Sequence, residues 1–486
     1  MQRDGWDWTR HYRLCDYTQS VFGGVFFKDK HMNAIRYILL ISLLALFAIT
    51  ASAQAPRAKN IIVMVADGWC FNHIEAADYY QHGELGKQIY EREFTLYPMS
   101  TFSVNGSYDP AQGSNYDYLL KGATDSAAAA TTMSSGVKTL NGAIGMGPDN
   151  QPVEHAIEVA EKAGKATGVV TSVQWSHATP AGFTAHDRSR GQYEIIAQQM
   201  VNDSGCEVIM GAGNPDYDNE GQPIKRKHVK KVEGSKPDNS YRFVGGEKMW
   251  KALKAGKAGG DCDGDGKPDH WKMFQSKKDV QKLMEGKTPK RVLVTVEASE
   301  TLQVSRKGID DKREDDPPFQ APLLSNVPTL PEMALAAINV LDEDPDGFYL
   351  MIEGGAVDWA SHANATGRMI EEMIDYNAAV EAVVGWVNKN SSWEETLVVV
   401  TGDHECGFLL GPGSKPELKP IVNNGKGNMP GFEFHYKSHT NQLIPCFVKG
   451  AGSDLFAGAA KNEDPKRGKY IDNTDIGLIA KKLIQP

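Results

Sequence analysis

Short runs of β-branched and other apolar residues alternate along this chain with stretches of helical periodicity. Because the runs are continuously apolar, each predicts a strand buried on both faces, and the intervening helices favour parallel connections. The runs are 61–66, 168–173, 291–296, 348–352, 396–401 and 444–448. The pattern predicts an α/β fold with a largely parallel central sheet that helices cover on both faces.

Two helices can be placed from the signals at their ends. The periodic stretch 153–163 stops at Gly164, and Thr329-Leu-Pro-Glu332 has the spacing of a capping box that starts another helix. Between about 214 and 289 the pattern changes to Gly, Asp, Lys and Pro with short helices only. We interpret this segment as an insertion beside the face that carries the functional residues.

An uncharged apolar run at 38–49 follows Met32 and Arg36 and ends at a small-x-small site, Ala51-Ser-Ala53. These are the three regions of a secretory signal peptide, and the run is shorter than the roughly 18 to 20 residues of a spanning helix. We expect residues 32–53 to be cleaved; an uncleaved membrane anchor is the alternative. Residues 1–31 are then a non-native upstream extension, and the mature chain, 54–486, is periplasmic or secreted without a stable membrane span.

The chain is acidic. It has 52 Lys+Arg against 62 Asp+Glu, a formal charge of −10, and loss of residues 1–53 removes six basic and four acidic side chains and leaves −12. No long basic run offers a surface for nucleic acid, so we expect no nucleic-acid partner. Five cysteines remain in the mature chain, an odd number that leaves at least one thiol unpaired, and their connectivity stays open.

Acidic residues and histidines stand directly after several of the apolar runs. Ligands of open α/β sheets bind beyond the carboxyl ends of the strands, so these positions are candidates for a site. They are Asp67, Glu353, Asp358, His362, Asp403 and His404, with His439 just before the last run. Asp358 and His362 are four residues apart and share one helix face, and carboxylate plus imidazole is a typical zinc set. Ordinary turns or a surface pair are the alternative for each position alone.

A candidate nucleophile opens an alanine-rich helix in Thr124-Asp125-Ser126-Ala127. Asp125 can cap this helix, which puts Ser126 in the first turn, where free N–H groups favour an attacking oxyanion and a bound phosphate. No dedicated base adjoins Ser126 in the sequence, so a metal ion would have to lower the pKa of its hydroxyl. The alternative is a helix cap without catalytic use.

Taken together, these motifs resemble those of the alkaline phosphatases over most of residues 58–450. The similar segments are Asp125-Ser-Ala-Ala-Ala-Ala-Thr131, Ser135-Gly-Val-Lys-Thr139, Asn141-Gly142, Glu353-Gly-Gly-x-x-Asp358-x-x-x-His362 and Asp403-His404. The resemblance implies an alkaline-phosphatase-like fold that hydrolyses small phosphate monoesters through a phosphoserine on Ser126, with two Zn2+ and one Mg2+. Family members are often dimers, which makes a homodimer the assembly to test.

The resemblance also implies a role for each site residue. Asp358, His362 and His439 would bind the first zinc, and Asp67, Asp403 and His404 the second. A third site would take Asp67, Glu353, Thr179 and His177. Arg190 would hold two phosphate oxygens, and Trp359 and His177 would also border the substrate. His177 and Trp359 stand where the enterobacterial enzymes have Asp and Lys. Imidazole is a poor ligand for magnesium, and Trp359 offers the phosphate an N–H without a charge.

A separate acidic segment has the spacing of a calcium loop. Carboxylates stand at its first, third, fifth and ninth positions, Asp261, Asp263, Asp265 and Asp269, with Gly266 at the sixth. Position twelve is Lys272 instead of a bidentate Glu, so a complete EF-hand is not expected. Bound Ca2+ and an ordinary acidic turn both stay open.

Three other functions compete with a phosphomonoesterase. A sulfatase of the same superfamily needs a Cys-x-Pro-x-Arg-type motif, which this sequence lacks. A phosphodiesterase commonly uses Thr as nucleophile and lacks the pair equivalent to Glu353 and Thr179. An exported calcium- or phosphate-binding protein without catalysis would carry a broken metal motif, and none of the motifs here is broken.

Overall fold

One eleven-stranded sheet organises the protein. The computed structural model describes residues 57–224, 239–309 and 317–484, so the proposed extension 1–31 and signal peptide 32–53 lie outside the described residues. In chain order the strands are β1 (Asn60–Ala66), β2 (Thr95–Ser100), β3 (Ala166–Gln174), β4 (Val208–Ala212), β5 (Lys272–Phe274), β6 (Val292–Thr295), β7 (Phe348–Gly354), β8 (Thr396–Gly402), β9 (Glu405–Cys406), β10 (Leu409–Leu410), β11 (Glu433–Phe434), β12 (His439–Thr440), β13 (Ile444–Gly450), β14 (Asn462–Asp464) and β15 (Gly468–Asp472).

The strand order in the central sheet is β14-β15-β2-β13-β8-β1-β7-β3-β4-β6-β5. From β8 to β5 all neighbours are parallel, whereas β13 runs antiparallel to both β8 and β2, and β14 antiparallel to β15. All six apolar runs predicted as strands belong to this sheet. The prediction of a largely parallel central sheet between helices is therefore confirmed.

Helices cover the sheet on both faces and enclose two hydrophobic cores. They are α1 (Phe71–His82), α2 (Ile89–Glu93), α3 (Tyr116–Leu119), α4 (Ser126–Ser135), α5 (Ala156–Lys162), α6 (Ala178–Thr184), α7 (Tyr193–Asn202), α8 (Gly246–Lys254), α9 (Lys277–Leu283), α10 (Leu330–Leu341), α11 (Ala356–His362), α12 (Thr366–Asn390), α13 (Leu455–Ala459) and α14 (Thr474–Ile484). Alternate residues of β1 point to opposite faces, so Ile62 and Met64 join one core and Ile61 and Val63 the other. Across the described ranges, no helix is long and apolar enough to cross a membrane.

The two helix ends read from the sequence have different outcomes. The capping box at Thr329 is confirmed, because its backbone N–H donates to the Glu332 carboxylate at 2.8 Å and its hydroxyl accepts from the Glu332 N–H at 3.4 Å. The helix predicted over 153–163 is shorter, since α5 starts only at Ala156 with His155 as its N-cap.

The sequence pattern indicated that the predicted insertion contains short helices only, but the structure shows a strand there as well. Besides α8, α9 and a 3-10 turn at Asn239–Val244, the segment contributes β5, which pairs in parallel with β6 at the edge of the central sheet. A three-residue strand is too short to give an apolar run, which is why the pattern missed it.

Candidate active site

The topology brings the predicted site residues to one edge of the sheet. Asp67 follows the parallel strand β1, Asp403 and His404 follow β8, and Glu353 lies near the end of β7. Strand β13 is antiparallel to β8, so the segment that enters it starts from the same edge. His439 in β12 reaches the site in this way, pairing antiparallel with Cys406.

A tight turn after β1 lets the metal-ligand candidates approach one another. Gly68 has φ +78°, and a Cβ at this position would lie 2.7 Å from the Cα of Asp358. Its N–H donates to Asp403 Oδ1 at 3.0 Å, which orients that carboxylate. A larger residue would therefore separate the strand end that carries Asp67 from helix α11.

Asp358, His362 and His439 form a first cluster of ligand atoms. Oδ1 of Asp358 lies 3.4 Å from Nε2 of each histidine, and the two Nε2 atoms are 3.1 Å apart. Nδ1 of His362 donates to the carbonyl of Lys437 at 2.7 Å, and Nδ1 of His439 donates to that of Thr124 at 2.9 Å. These contacts place the ring N–H of each histidine at Nδ1 and leave the lone pair at Nε2, which is the arrangement typical of metal-binding histidines.

A second cluster surrounds Nε2 of His404. Oδ2 of Asp403 lies 3.1 Å from this nitrogen, Oγ of Ser126 lies 3.2 Å away, and Oδ1 of Asp67 lies 3.5 Å away. Burial, followed by repulsion from His439, holds the pKa of His404 well below its usual range, so its ring is neutral. A single nitrogen cannot donate to three oxygens, and a cation among them satisfies all four atoms.

Ser126 is the first residue of α4 and is buried. Asp125 caps this helix by accepting from the N–H of Ala128 at 3.0 Å, and it also accepts from the N–H of Gly142 at 3.0 Å. Its other contact is with Arg190, whose Nη1 donates to Asp125 Oδ2 at 3.1 Å. The carboxylate of Asp125 thus fixes the start of α4, where Ser126 lies, and holds the guanidinium of Arg190 at the same helix end.

Electrostatics indicate that the site is built for cations. Burial, and then repulsion from neighbouring carboxylates, raises the pKa of Asp67 well above its usual range, and burial raises those of Glu353 to about 7 and Asp403 to about 6. For Asp358 burial acts in the same direction, but the adjacent imidazoles of His439 and His362 outweigh it and lower the pKa.

Several buried oxygens in these clusters also have no hydrogen-bond partner among the described residues. They are Oδ1 of Asp67, Oε1 of Glu353, Oδ1 of Asp358 and Oδ2 of Asp403. Buried carboxylate oxygens without partners are costly unless a cation neutralises them, so these residues fit bound metal ions.

A third set of candidate ligands consists of Glu353 and the side chains near it. The hydroxyl of Thr171 donates to Oε2 of Glu353, which opposes the effect of burial on the pKa of Glu353. The buried hydroxyl of Thr179 has no hydrogen-bond partner among the residues that the structure describes. His177, the N-cap of α6, is buried, and within the described ranges its Nδ1 has no hydrogen-bond partner. Burial lowers the pKa of His177 to about 3. These side chains fit the oxygen-rich third site that the sequence predicts, with a neutral imidazole beside it.

Aromatic side chains surround His177, and of these the sequence analysis singled out Trp359 but not Tyr193 or Phe243. Its ring stacks on Tyr193 at a centroid distance of 6.0 Å and meets Trp359 edge-on at 5.6 Å. Tyr193 in turn packs on Phe243 at 4.6 Å, and the guanidinium of Arg242 lies 5.2 Å from the Tyr193 ring. Arg242 and Phe243 come from the segment predicted as an insertion, so part of that segment lies beside the site.

Sequence reasoning missed two further features of the site. It did not predict that Nε2 of His404 lies 3.2 Å from Oγ of Ser126, although it named both residues. It also passed over Cys406, whose sulfur lies within 4.8 Å of the ligand atoms of Asp358, His362 and His439. Burial raises the pKa of Cys406, and its thiol donates to the carbonyl of Asp358 at 3.7 Å. The adjacent Asp-His pair was the only signal in this part of the sequence.

The calcium-like segment forms an exposed loop away from these clusters. Oxygens of Asp261, Asp263 and Asp265 lie within 4.8 Å of one another. Asp269 instead accepts from the N–H of Cys262 at 3.0 Å. The structure thus brings three of the four predicted carboxylates together.

The site combines a buried serine at a helix start with carboxylate and imidazole clusters at the carboxyl edge of an α/β sheet. This combination is typical of metal-dependent hydrolases. A profile of the alkaline phosphatase family matches residues 58–478. The chain belongs to the alkaline phosphatase family.

Named relatives agree with this assignment. The chain is 30% identical to alkaline phosphatase 3 of Bacillus subtilis over 357 residues, which span 72% of this chain and 61% of that protein. It is 28% identical to the alkaline phosphatase of Escherichia coli, over 78% of this chain and 77% of the relative. The first match therefore leaves more than a third of the Bacillus protein without a counterpart.

Solved structures of the family share the fold. The alkaline phosphatase of the Antarctic bacterium TAB5 superposes with a TM-score of 0.58 at 23% identity, covering 89% of this chain and 99% of that one. A cold-active alkaline phosphatase from Shewanella sp. gives a TM-score of 0.61 at 21% identity, covering 88% and 100%. A variant of the TAB5 enzyme was solved with magnesium bound. At these identities the likeness establishes the fold.

Proposed function

We propose that this protein is an exported alkaline phosphatase that hydrolyses small phosphate monoesters through a phosphoserine at Ser126. One observation carries the proposal: oxygens of Ser126, Asp67 and Asp403 converge within 3.5 Å on Nε2 of His404. A metal ion at that point would satisfy the histidine and both carboxylates while contacting the serine oxygen.

The chain offers ligands for three ions. Asp358, His362 and His439 would hold one Zn2+, Asp67, Asp403 and His404 a second, and Glu353 and Thr179 with Asp67 a Mg2+, next to His177. When bound, the ions would lower the pKa of the Ser126 hydroxyl and of an attacking water and stabilise the leaving oxygen.

The protein's own groups would perform the remaining work. The hydroxyl of Ser126 loses its proton, and Oγ attacks phosphorus in line, so that an Oγ–P bond forms. The ester P–O bond breaks, and the leaving oxygen takes up a proton from water to depart as the alcohol. Arg190, held by Asp125, neutralises the non-bridging phosphate oxygens, and the first N–H groups of α4 face the same charge. Water then attacks the phosphoserine, which frees Ser126 and inorganic phosphate.

The remaining predictions concern the setting of the enzyme. The mature chain 54–486 would act in the periplasm or outside the cell as a homodimer, with phosphate monoesters as its ligands and without nucleic acid. Trp359 and His177 would border the phosphate, and Ca2+ at Asp261, Asp263, Asp265 and Asp269 would be an addition remote from the chemistry.

A substrate panel separates this proposal from its rivals. The exported protein should cleave an aryl phosphate monoester far faster than an aryl phosphodiester or an aryl sulfate. Acid quenching with labelled phosphate, followed by peptide mapping, should place the label on Ser126. A preference for the diester or the sulfate, or a label on another residue, would overturn the assignment.

A further inference from the structure

A row of stacked side chains leads from the candidate active site to a cation in the segment predicted as an insertion. The row starts at His177, whose ring stacks on Tyr193 at 6.0 Å, and Tyr193 lies three residues beyond Arg190. The guanidinium of Arg242 lies over the Tyr193 ring at 5.2 Å and over the Phe243 ring at 4.5 Å. These contacts bring a second guanidinium, besides that of Arg190, to the side of the site where His177 lies.

The backbone that carries Arg242 is fixed against an element of the site. Arg242 belongs to the 3-10 turn Asn239–Val244. The carbonyl of the next residue in this turn, Phe243, accepts a hydrogen bond from the hydroxyl of Ser176 at 2.9 Å. Ser176 is buried and directly precedes the N-cap of α6. Arg242 is therefore held beside the site, although its own side chain is exposed to solvent.

The contacts of Arg242 leave its N–H groups available to a ligand. No carboxylate in the described ranges forms an ion pair with it, and its guanidinium lies over ring faces instead. A guanidinium in this position keeps the N–H groups along its edge free, and the rings already restrict its motion. Such a group recognises a carboxylate or a phosphate through paired, charge-assisted hydrogen bonds.

The phosphate to be transferred already has partners of its own. In the proposed mechanism Arg190 and the first N–H groups of α4 hold its oxygens, next to the metal ligands. Arg242 is therefore available to a different anionic group, one that the alcohol part of the ester carries. The rings of Tyr193 and Trp359 are half-buried and both contact His177, so they suit the carbon atoms between the two anionic groups.

We propose that Arg242 binds a second anionic group of the substrate, so that the enzyme prefers phosphate monoesters whose alcohol carries a phosphate or a carboxylate. The inference rests on the proposed function and adds a substrate class to it. Arg242 determines specificity, because it contacts the alcohol part of the ester and not the phosphoryl group that is transferred. The reaction at Ser126 is unchanged, and the second anionic group departs with the alcohol.

Paired substrates test this preference. Each pair is the bisphosphate of a short alkane-1,n-diol and the monophosphate of the same diol, so its members differ only in the second anionic group. We expect wild-type kcat/KM per phosphate to be about tenfold higher for the bisphosphate at the best chain length, mainly through KM. Arg242→Gln should lower kcat/KM for the bisphosphate about tenfold more than for the monophosphate, and Arg242→Lys should retain part of the preference.

The matched control is Lys248→Gln, which removes an equal charge from an exposed position on the neighbouring helix α8 and should keep the wild-type ratio. Two results would overturn the proposal. An equal loss for both substrates in Arg242→Gln would mean that Arg242 acts on the transferred phosphate. An unchanged ratio would mean that Arg242 only packs on the rings.

Failure of the proposed function is a separate result. A protein that hydrolyses both members of each pair at equal kcat/KM per phosphate contradicts this inference alone, whereas one that hydrolyses neither contradicts the proposed function. Calorimetric titration of Ser126→Ala measures the preference without turnover. Its Kd for the bisphosphate should be about tenfold lower than for the monophosphate, and adding Arg242→Gln should remove that difference. Equal Kd values in Ser126→Ala would overturn the inference whatever the activity.

Discussion

Oγ of Ser126 lies 3.2 Å from Nε2 of His404, the same nitrogen that Asp67 and Asp403 approach. One nitrogen can exchange a proton with only one of these three oxygens, whereas a cation among them contacts the nitrogen and all three oxygens at once. The geometry therefore favours metal activation of the serine over a serine-histidine pair.

The first prediction is that Ser126→Ala abolishes phosphoserine formation and lowers kcat by orders of magnitude. The reason is that water alone would then have to attack the bound ester. Steady-state kinetics on an aryl phosphate, with metal content measured in the same preparation, would check this. The exposed Ser114→Ala is the matched control and should keep the wild-type kcat. Unchanged turnover in Ser126→Ala would assign the nucleophile elsewhere.

The second prediction concerns Trp359, whose ring meets that of His177 at 5.6 Å. Trp359→Lys adds a cation near the phosphate and should lower both KM and the inhibition constant for phosphate. The expected gain in the free energy of phosphate binding is about 1 to 3 kcal/mol. Trp359→Gln separates loss of the ring from gain of charge and should not tighten phosphate binding. Unchanged or weaker phosphate inhibition in Trp359→Lys would mean that this position does not face the phosphate.

The third prediction is that His177→Asp reduces the added Mg2+ needed for full activity, because it gives the third site a hard oxygen ligand. Activity is measured against Mg2+ concentration in wild type and variant. Since the two rings are in contact, the double variant with Trp359→Lys should not show additive effects. An unchanged Mg2+ requirement would exclude His177 from the third site.

The fourth prediction uses Glu372 of α12, a buried carboxyl whose pKa burial raises from 4.5 to about 8, with repulsion from Asp375 and Glu371 adding to it. The folded state keeps this proton to a higher pH than the unfolded state does. The contribution of Glu372 to the free energy of unfolding is therefore complete below pH 4.5 and is lost as pH rises through about 8. Glu372→Gln should therefore gain stability relative to wild type across that window.

Urea unfolding at pH 5, 7 and 9 would measure the effect, with an expected difference on the order of a few kcal/mol between the two ends. Glu381→Gln, exposed on the same helix, is the control and should show no such trend. A difference between Glu372→Gln and wild type that stays constant with pH would refute the prediction.

The fifth prediction concerns the acidic loop around Asp263. Three carboxylates within 4.8 Å repel one another unless a cation neutralises them, so Ca2+ should raise the melting temperature. Asp263→Ala combined with Asp265→Ala should remove that gain. A melting curve that does not respond to millimolar Ca2+ would identify the segment as an ordinary acidic turn.

The sequence predicted those parts of the fold that depend on local patterns. The six sheet strands that it identified are buried on both faces and are therefore continuously apolar. The ends of β1 and β8, next to Asp67 and His404, could be placed because the apolar run stops there. It missed five strands of the sheet: β2, which contains Pro98, the edge strands β5 and β14, the short strand β15 beside β14, and β4, whose five residues are all buried. The antiparallel direction of β13 depends on long-range pairing and leaves no mark in composition.

The candidate site shows the same division. Motif spacing placed Asp358 and His362 on one helix face, and the family resemblance grouped His439 with them. It could not predict that Tyr193 and Phe243 pack around His177, because those contacts join segments far apart in the chain. Nor could it predict that Asp125 would hold Arg190, since an N-cap aspartate has the same signature whether or not it pairs with a second group.

Chelation and reconstitution test the central claim most directly. The exported protein is assayed on an aryl phosphate monoester before chelation, after chelation, and after Zn2+ and Mg2+ are restored. The account predicts that activity disappears with the metal ions and returns when both are supplied, with zinc bound in proportion to the recovered activity. Full activity in chelated, metal-free protein would contradict it.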